Sequence, residues 1–240
     1  MKRTLENKIA VVTGGSGAIG SAIIAGLEQQ GACAVSLDVV RPAAAAAPFQ
    51  ACDVRGDASV ASAIAEVQRT YGRLDLVVHA AGVSREAVLW KLAVEDWDFV
   101  QSVNLRGAFL LLRHAIPVMR AGEGGRIVLI GSINGSRGKF GTSAYSASKA
   151  GLIALARTVA REVARLGILI NVVEPGWVRT PLTDSLPQAV RDAALAESLV
   201  GRYVEPADVA AAVTFLCGPG AQQITGQILR VDGGQSLGSV

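Results

Sequence analysis

Short apolar runs rich in β-branched residues alternate with longer segments of helical periodicity, and this alternation restricts the possible folds more than any other feature of the chain. Strands are predicted at residues 9–13, 34–37, 74–79, 126–130, 168–173 and 228–231. Helices are predicted at residues 59–71, 96–120, 144–166 and 206–216. Most of the strands are apolar on both faces, as is typical of parallel strands covered by helices on two sides. The pattern therefore predicts a doubly wound parallel α/β fold.

Length and composition narrow the possible classes of protein. The 240 residues suit one α/β domain with a large core, so a single domain over residues 1–240 is predicted. The net charge is only +3 and the basic residues are scattered, which argues against a nucleic-acid partner. The three cysteines and two histidines lack metal-ligand spacing, so we expect reduced thiols and no metal site. Apolar runs are too short for a signal peptide or a membrane span, so no membrane partner and a cytoplasmic location are expected.

Two segments depart from the regular alternation. An alanine run at residues 43–47, flanked by prolines, leaves little room for a full crossover helix, so an irregular connection is predicted there. Residues 181–200 interrupt the pattern close to the predicted site. We interpret this second segment as a short helical substrate lid.

A glycine-rich turn at residues 13–20 directly follows the first predicted strand and opens a helix. Its glycines allow the backbone to approach a pyrophosphate, and the helix that starts near Ala18 directs free N–H groups toward it. A tight turn without a ligand is the alternative interpretation. The position after the first strand favours a dinucleotide site.

Two carboxylates follow this turn at the ends of predicted strands. Asp38 ends the second strand, where a carboxylate accepts hydrogen bonds from ribose hydroxyls and repels the 2′-phosphate of NADP. NAD(H) is therefore the predicted cofactor, with NADP(H) as the alternative because Arg41 lies nearby. Asp53 is predicted to end the third strand and to reach the adenine amino group. A solvated strand-end carboxylate is the alternative for Asp53.

Tyr145 and Lys149 lie one helical turn apart on one face of a predicted helix. The ammonium group and the positive nicotinamide ring are both expected to lower the phenol pKa from about 10. The phenol then becomes a usable general acid and base. Ser132, after the strand at residues 126–130, is predicted to hydrogen-bond the substrate oxygen. Asn104, within a predicted helix, is expected to hold a water that relays protons through Lys149.

Packing or capping explains each of these four residues when it is taken alone. Their joint occurrence in this order, together with the glycine-rich turn and Pro175-Gly176, resembles the short-chain dehydrogenase/reductase family over essentially the whole chain. The resemblance implies a single Rossmann-like domain with about seven strands, helices on both faces and a tetrameric assembly. It also implies a catalytic tetrad of Asn104, Ser132, Tyr145 and Lys149. The residues expected to contact the cofactor are Gly14, Ser16, Gly17, Ile19, Gly20, Asp38, Asp53, Val54, Ala80, Gly82, Tyr145, Lys149, Pro175, Gly176, Val178 and Thr180.

Two positions depart from the family pattern. Ala18 stands where the family usually has Gly, and His79-Ala80-Ala81-Gly82 replaces the usual Asn-Asn-Ala-Gly. The second change removes an Asn that braces the end of the fourth strand. We expect His79 to take a structural role there rather than a catalytic one.

Within the family, segments such as Ile130-Gly131-Ser132 and Ile224-Thr225-Gly226 are most similar to 3-oxoacyl-acyl-carrier-protein and acetoacetyl-CoA reductases. A 3-oxoacyl or 3-hydroxyacyl thioester is therefore the expected substrate. The resemblance also implies arginines that dock the acidic carrier, but this chain has Glu123 and Leu166 at those positions. Arg126 and Arg165 are candidates to compensate.

The substrate pocket is predicted from sequence position to include Asn134, Phe140, Trp177 and Leu182. Trp177 is as well explained by packing in the core or in an interface. Two other functions remain as hypotheses. One is a dehydrogenase of a small cyclic, sugar or aliphatic secondary alcohol, and the other is an NAD(H)-binding subunit without catalysis.

Overall fold

The computed structural model describes residues 3–41 and 47–238, and within these residues seven parallel strands form one sheet. The strands are β1 (Ile9–Thr13), β2 (Cys33–Asp38), β3 (Phe49–Ala51), β4 (Leu76–His79), β5 (Gly125–Ile130), β6 (Ile168–Pro175) and β7 (Ile228–Val231). Their order in the sheet is β3-β2-β1-β4-β5-β6-β7. The predicted doubly wound parallel fold is confirmed.

Helices cover both faces of this sheet. They are α1 (Ala18–Gln29), α2 (Asp57–Tyr71), α3 (Val94–Gln101), α4 (Gly107–Ala121), α5 (Ile133–Arg137), α6 (Ser143–Val163), α7 (Pro181–Asp184), α8 (Gln188–Ala196) and α9 (Pro206–Cys217). Alternate residues of each strand enter opposite cores: Val11 packs with α2, α4 and α6, whereas Val12 packs with α1 and α9. Burial on two sides explains why the central strands are apolar throughout.

The structure corrects several predicted boundaries. The third strand ends at Ala51, so Asp53 lies in the following loop and not at a strand end. The alanine run at residues 43–47 falls mostly outside the described residues. The helix predicted at residues 96–120 is divided into α3 and α4 by a π-helical segment, Ser102–Arg106. The predicted lid consists of α7 and α8, which are separated by residues 185–187.

The strand order reverses direction between β1 and β4, because β2 and β3 continue on one side of β1 and β5 to β7 continue on the other side of β4. In open parallel sheets, ligands bind at the carboxyl ends of the strands next to such a switch point. The chain brings the glycine-rich turn after β1 and residues 80–83 after β4 to this place.

Two further findings concern the described residues as a whole. Cys33, Cys52 and Cys217 are all free thiols, as predicted. No helix among residues 3–41 and 47–238 has the length and apolar character needed to cross a membrane.

Candidate active site

The glycine-rich turn is shaped by close backbone packing. Gly14 has a φ of +66°, and a Cβ there would lie 2.7 Å from the Cα of Ala81. A Cβ at Gly20 would overlap the Gly14 carbonyl oxygen. The N-cap of α1 is Gly17, and no side chain caps this helix. The first N–H groups of α1 are therefore free to bind a phosphate.

A cleft of about 350 Å³ opens beside this turn. It is lined by Gly14, Gly17, Leu37, Asp38, Val39, Cys52, Asp53, Val54, Arg55, Ala80, Ala81, Gly82, Val83, Phe99 and Val103. The cleft contains an uncapped helix end, a carboxylate and apolar walls. These features fit a phosphate, a ribose and an adenine ring respectively, so the residues present suit a nicotinamide dinucleotide.

Asp38 lies at the end of β2 in the wall of this cleft. Its Oδ2 accepts a hydrogen bond from the Ser16 N–H at 3.0 Å, and its Oδ1 accepts one from the Val39 N–H at 2.7 Å. These bonds fix the carboxylate beside the glycine-rich turn. Arg41 is the nearby cation that left NADP(H) as the alternative cofactor. Its guanidinium stacks over the Phe49 ring, 5.6 Å from the ring centre.

Asp53 also lines the cleft, but its carboxylate already has a partner. The Arg55 guanidinium forms a two-point pair with it, with Nε–Oδ1 at 3.0 Å and Nη2–Oδ2 at 2.6 Å. This pair lowers the pKa of Asp53, chiefly through the hydrogen bond from Arg55. Arg55 also stacks over the Phe99 ring. Neither Arg55 nor Phe99 was predicted from the sequence, since neither belongs to a recognisable motif.

Tyr145, Ser132 and Lys149 converge where β5 ends against α6. Ser132 is the N-cap of α5, and its Oγ accepts a hydrogen bond from the Asn134 N–H at 3.2 Å. The Ser132 side chain also interacts with the Tyr145 phenol and lowers the pKa of that phenol. The Lys149 Nζ lies 5.6 Å from the centre of the Tyr145 ring and donates to the Ile130 carbonyl oxygen at 2.7 Å. The motif residues separated in sequence therefore meet in one place.

The pKa of Tyr145 differs from the sequence-based expectation. Burial raises it, the hydrogen bond with Ser132 opposes that rise, and the Glu86 charge adds to it. Burial lowers the pKa of Lys149 to about 8. In the protein without its cofactor, desolvation of the buried phenolate raises the pKa of Tyr145. The prediction that the bound nicotinamide lowers this pKa stays a prediction.

Asn104 lies in the π-helical segment and is fully buried. Its Oδ1 accepts from the Val83 N–H at 2.8 Å, while its Nδ2 donates to the Val83 carbonyl at 3.0 Å and to the Ser148 Oγ at 2.9 Å. The amide therefore clamps the loop after β4 to α6, one residue before Lys149. The predicted water relay through Asn104 stays a prediction.

His79 stands where the family pattern has Asn, and both nitrogens of its ring are hydrogen-bonded. Its Nδ1 lies 2.9 Å from the Thr13 Oγ1, and its Nε2 lies 3.2 Å from the Asn104 carbonyl oxygen. The carbonyl can only accept, so Nε2 carries the proton and Nδ1 accepts from the Thr13 hydroxyl. Burial, followed by the Lys149 charge, lowers the pKa of His79 to about 3. These contacts fit the structural role expected for His79.

The segment after β6 borders the same region. Pro175 ends β6, Val178 is buried and Thr180 caps α7, where its hydroxyl accepts from the Thr183 N–H. The Trp177 ring faces the Lys139 ammonium at 5.1 Å.

The residues predicted to line the substrate pocket differ in their exposure and contacts. Asn134, on α5, faces Arg137, whose Nε donates weakly to the Asn134 Oδ1 at 3.4 Å. Phe140 is 86% exposed, so its side chain lies outside any enclosed pocket. The side chain of Leu182 falls outside the described part of the structure. The assignment of these residues to a substrate pocket stays a prediction.

Comparison with known proteins is consistent with this geometry. The family described as Enoyl-(Acyl carrier protein) reductase matches residues 15–236. The 3-oxoacyl-(acyl-carrier-protein) reductase of Thermotoga maritima is 34% identical, covering 96% of this chain and 98% of that protein. The (3R)-3-hydroxyacyl-CoA dehydrogenase of Canis lupus familiaris is 37% identical, covering 96% of both.

Solved structures give a similar result. The crystal structure of gox2181 has a TM-score of 0.94 and 32% identity, covering 98% of this chain and 97% of that one. The ligand-free aldohexose dehydrogenase of Thermoplasma acidophilum has a TM-score of 0.91 and 30% identity, covering 97% of this chain and 95% of that one.

Proposed function

The chain belongs to the short-chain dehydrogenase/reductase family and is an oxidoreductase acting on CH–OH groups, and we propose that its substrate is a 3-oxoacyl or 3-hydroxyacyl thioester. The observation that carries the proposal is the meeting of Tyr145, Ser132 and Lys149 at the carboxyl ends of the strands, next to a cleft suited to a dinucleotide. The named relatives that act on acyl thioesters support the substrate class.

In the proposed reaction, Tyr145 transfers the proton. Its raised pKa keeps the phenol protonated at neutral pH, so it can donate to the carbonyl oxygen of a bound ketone. Ser132 holds the same oxygen and stabilises the negative charge that develops on it. The Lys149 ammonium favours the phenolate that is left after donation. The nicotinamide group supplies the hydride when it is bound.

We propose NAD(H) as the preferred cofactor within the nicotinamide class that the family uses. Asp38 supports this preference, because its fixed carboxylate would accept from ribose hydroxyls and repel a 2′-phosphate. Arg41 stacks on Phe49, which favours its role as a packing residue over that of a phosphate ligand.

The surface charge near α4 and α6 bears on whether the acyl carrier is an acidic protein or CoA. Glu123 forms a 3.4 Å ion pair with Arg73, and Leu166 is partly exposed. A carboxylate and an apolar side chain at these positions disfavour an acidic carrier protein through lost attraction and like-charge repulsion. We therefore choose a CoA thioester for the first assay.

A second candidate function is the oxidation of a sugar or another small secondary alcohol. The similarity to an aldohexose dehydrogenase structure favours it. The third hypothesis, an NAD(H)-binding subunit without catalysis, is disfavoured because the candidate acid/base residue Tyr145 lies beside Lys149 and interacts with Ser132.

We also propose that the chain is one domain over residues 1–240, that it forms a homotetramer and that it resides in the cytoplasm. Exposed apolar side chains on α4, α9 and β7 support self-association: Phe109, Phe215 and Leu229. Three free thiols are compatible with a reducing compartment.

The test follows NADH absorbance with acetoacetyl-CoA and a panel of cyclic and sugar ketones. We expect oxidation of NADH with the thioester, and Tyr145→Phe should reduce kcat by about 10²–10⁴-fold while NADH binding persists. Tyr71→Phe, on α2 and away from the cleft, is the matched control. Turnover of a sugar ketone alone would discard the acyl assignment, and normal turnover by Tyr145→Phe would discard the acid/base assignment.

A further inference from the structure

Gln235 is a buried polar residue near the C-terminus that no part of the reaction described above uses. It follows Gly233 and Gly234, which both have a positive φ and turn the chain back toward the site. The Asp232 carboxylate holds this turn by accepting from the Gly234 and Ser236 N–H groups. The side-chain amide of Gln235 is thereby fixed in the interior.

That amide joins two segments that carry residues predicted to line the substrate pocket, namely the segment after β6 and the lid. Its Oε1 accepts from the Trp177 N–H at 2.8 Å, and its Nε2 donates to the Glu197 Oε2 at 3.0 Å. Trp177 belongs to the segment after β6, and Glu197 is the C-cap of α8 in the lid. The close approach requires Gly176, because a Cβ there would lie 2.6 Å from the Gln235 Oε1.

A third wall joins the same network through Arg137 on α5. Its Nη2 pairs with the Glu197 carboxylate at 2.8 Å, and its Nη1 donates to the Gln235 carbonyl at 3.1 Å. The last residue of the lid, Val200, also contacts the C-terminal turn: its N–H donates to the Gly233 carbonyl at 3.1 Å. Loss of the Gln235 amide would leave the part-buried backbone N–H of Trp177 without this acceptor, and the Glu197 carboxylate with Arg137 but without the Gln235 donor.

We propose that Gln235 is a positioning residue that sets the closed position of the lid against Trp177 and α5, and so determines how tightly the ketone substrate is held. The inference rests on the proposed function for its substrate, but the contacts that carry it are independent of the chemistry. It predicts that a change at Gln235 alters lid opening and KM together.

Lid opening can be measured without turnover. Arg191 is the one tryptic site within residues 181–200 of the sequence, and its carbonyl accepts from the Tyr203 hydroxyl in the closed lid. We expect Gln235→Met, which preserves side-chain length but not the hydrogen bonds, to accelerate trypsin cleavage after Arg191 about tenfold. Cleavage sites would be identified from fragment masses.

A charge exchange separates positioning from general destabilisation. Gln235→Glu retains an acceptor for the Trp177 N–H but places a second carboxylate beside Glu197, so lid opening and the KM for acetoacetyl-CoA should rise about tenfold. Adding Glu197→Gln to this variant restores the hydrogen bond with its direction reversed, because the new amide at position 197 donates to the new carboxylate at position 235. We expect this double variant to return both values to within about threefold of the wild type.

The outcomes are distinguishable. Failure of the wild type to turn over any ketone would contradict the proposed function, while the cleavage rates would still decide the role of Gln235. Unchanged cleavage and KM in Gln235→Met, or no recovery in the double variant, would overturn the inference. If Gln235→Met does not fold, Glu197→Leu takes its place, because it removes the acceptor of the Gln235 amide at a half-exposed position, and unchanged cleavage there has the same meaning.

Discussion

Replacing His79 with Asn should make the folded protein less sensitive to acid. Burial and the Lys149 charge lower the pKa of His79 from 6.5 to about 3 in the folded state. The unfolded chain binds this proton near pH 6.5, whereas the folded chain does not bind it until about pH 3. The free energy of unfolding therefore decreases as the pH falls through this window, and His79 contributes no such loss above it.

The size of the effect follows from proton linkage. Each pH unit inside the window lowers the free energy of unfolding by about 1.4 kcal/mol. Between about pH 7 and about pH 4.5, His79 alone should remove about 2.5 kcal/mol. Asn does not titrate, so His79→Asn should lack this loss. Other titrating groups are present in both proteins, and their contributions cancel when the two curves are subtracted.

Urea unfolding followed by tryptophan fluorescence, at one protein concentration and both pH values, measures the difference. His114→Asn is the control, because the His114 side chain is partly exposed and pairs with Asp57 at the surface. At neutral pH, His79→Asn should itself be destabilised by about 1–3 kcal/mol, since a shorter side chain does not span from Thr13 to the Asn104 carbonyl. Parallel pH curves for the wild type and His79→Asn would refute a neutral, buried His79.

Two further predictions concern Lys149 and Asp38. Burial lowers the pKa of Lys149 from 10.5 to about 8, so its charge destabilises the folded state below about pH 8 and this penalty disappears as the pH approaches 10.5. Lys149→Met should therefore abolish turnover. It should also raise the urea midpoint of unfolding at neutral pH, and this gain in stability should vanish near pH 10.5. A loss of stability that is the same at every pH would contradict this prediction. Asp38→Ala should shift the KM ratio of NADH to NADPH by about tenfold toward NADPH, and an unchanged ratio would exclude Asp38 as the ribose contact.

The parts of the fold that depend on local pattern were predictable from sequence. The turn at residues 13–20 requires glycine where backbone segments touch, as at Gly14 against Ala81, and such requirements are visible as glycines. Buried parallel strands likewise require apolar residues on both faces. The third strand was less clear, because Phe49–Ala51 is three residues long and partly exposed, so its sequence carries little periodicity.

The contacts of the candidate site depend instead on residues distant in sequence. Tyr145 and Lys149 were recognised from their spacing, but the environment that raises one pKa and lowers the other comes from the surrounding fold. The π-helical segment that carries Asn104 has no sequence signal in the helical periodicity. Gln235 and Glu197 are separated by 38 positions and join only when the lid folds onto the C-terminal turn.

Burial raises the pKa of Tyr145 and lowers the pKa of Lys149, and both shifts bear on the direction of proton transfer. The raised pKa of Tyr145 keeps the phenol protonated at neutral pH, while Lys149, with a pKa of about 8, remains mostly charged there. A protonated phenol beside an ammonium is prepared to donate a proton, and the ammonium stabilises the resulting phenolate. Alcohol oxidation needs the phenolate at the start, so it should require a higher pH than ketone reduction. Because burial disfavours the phenolate in this site, we expect reduction to be faster than oxidation at neutral pH.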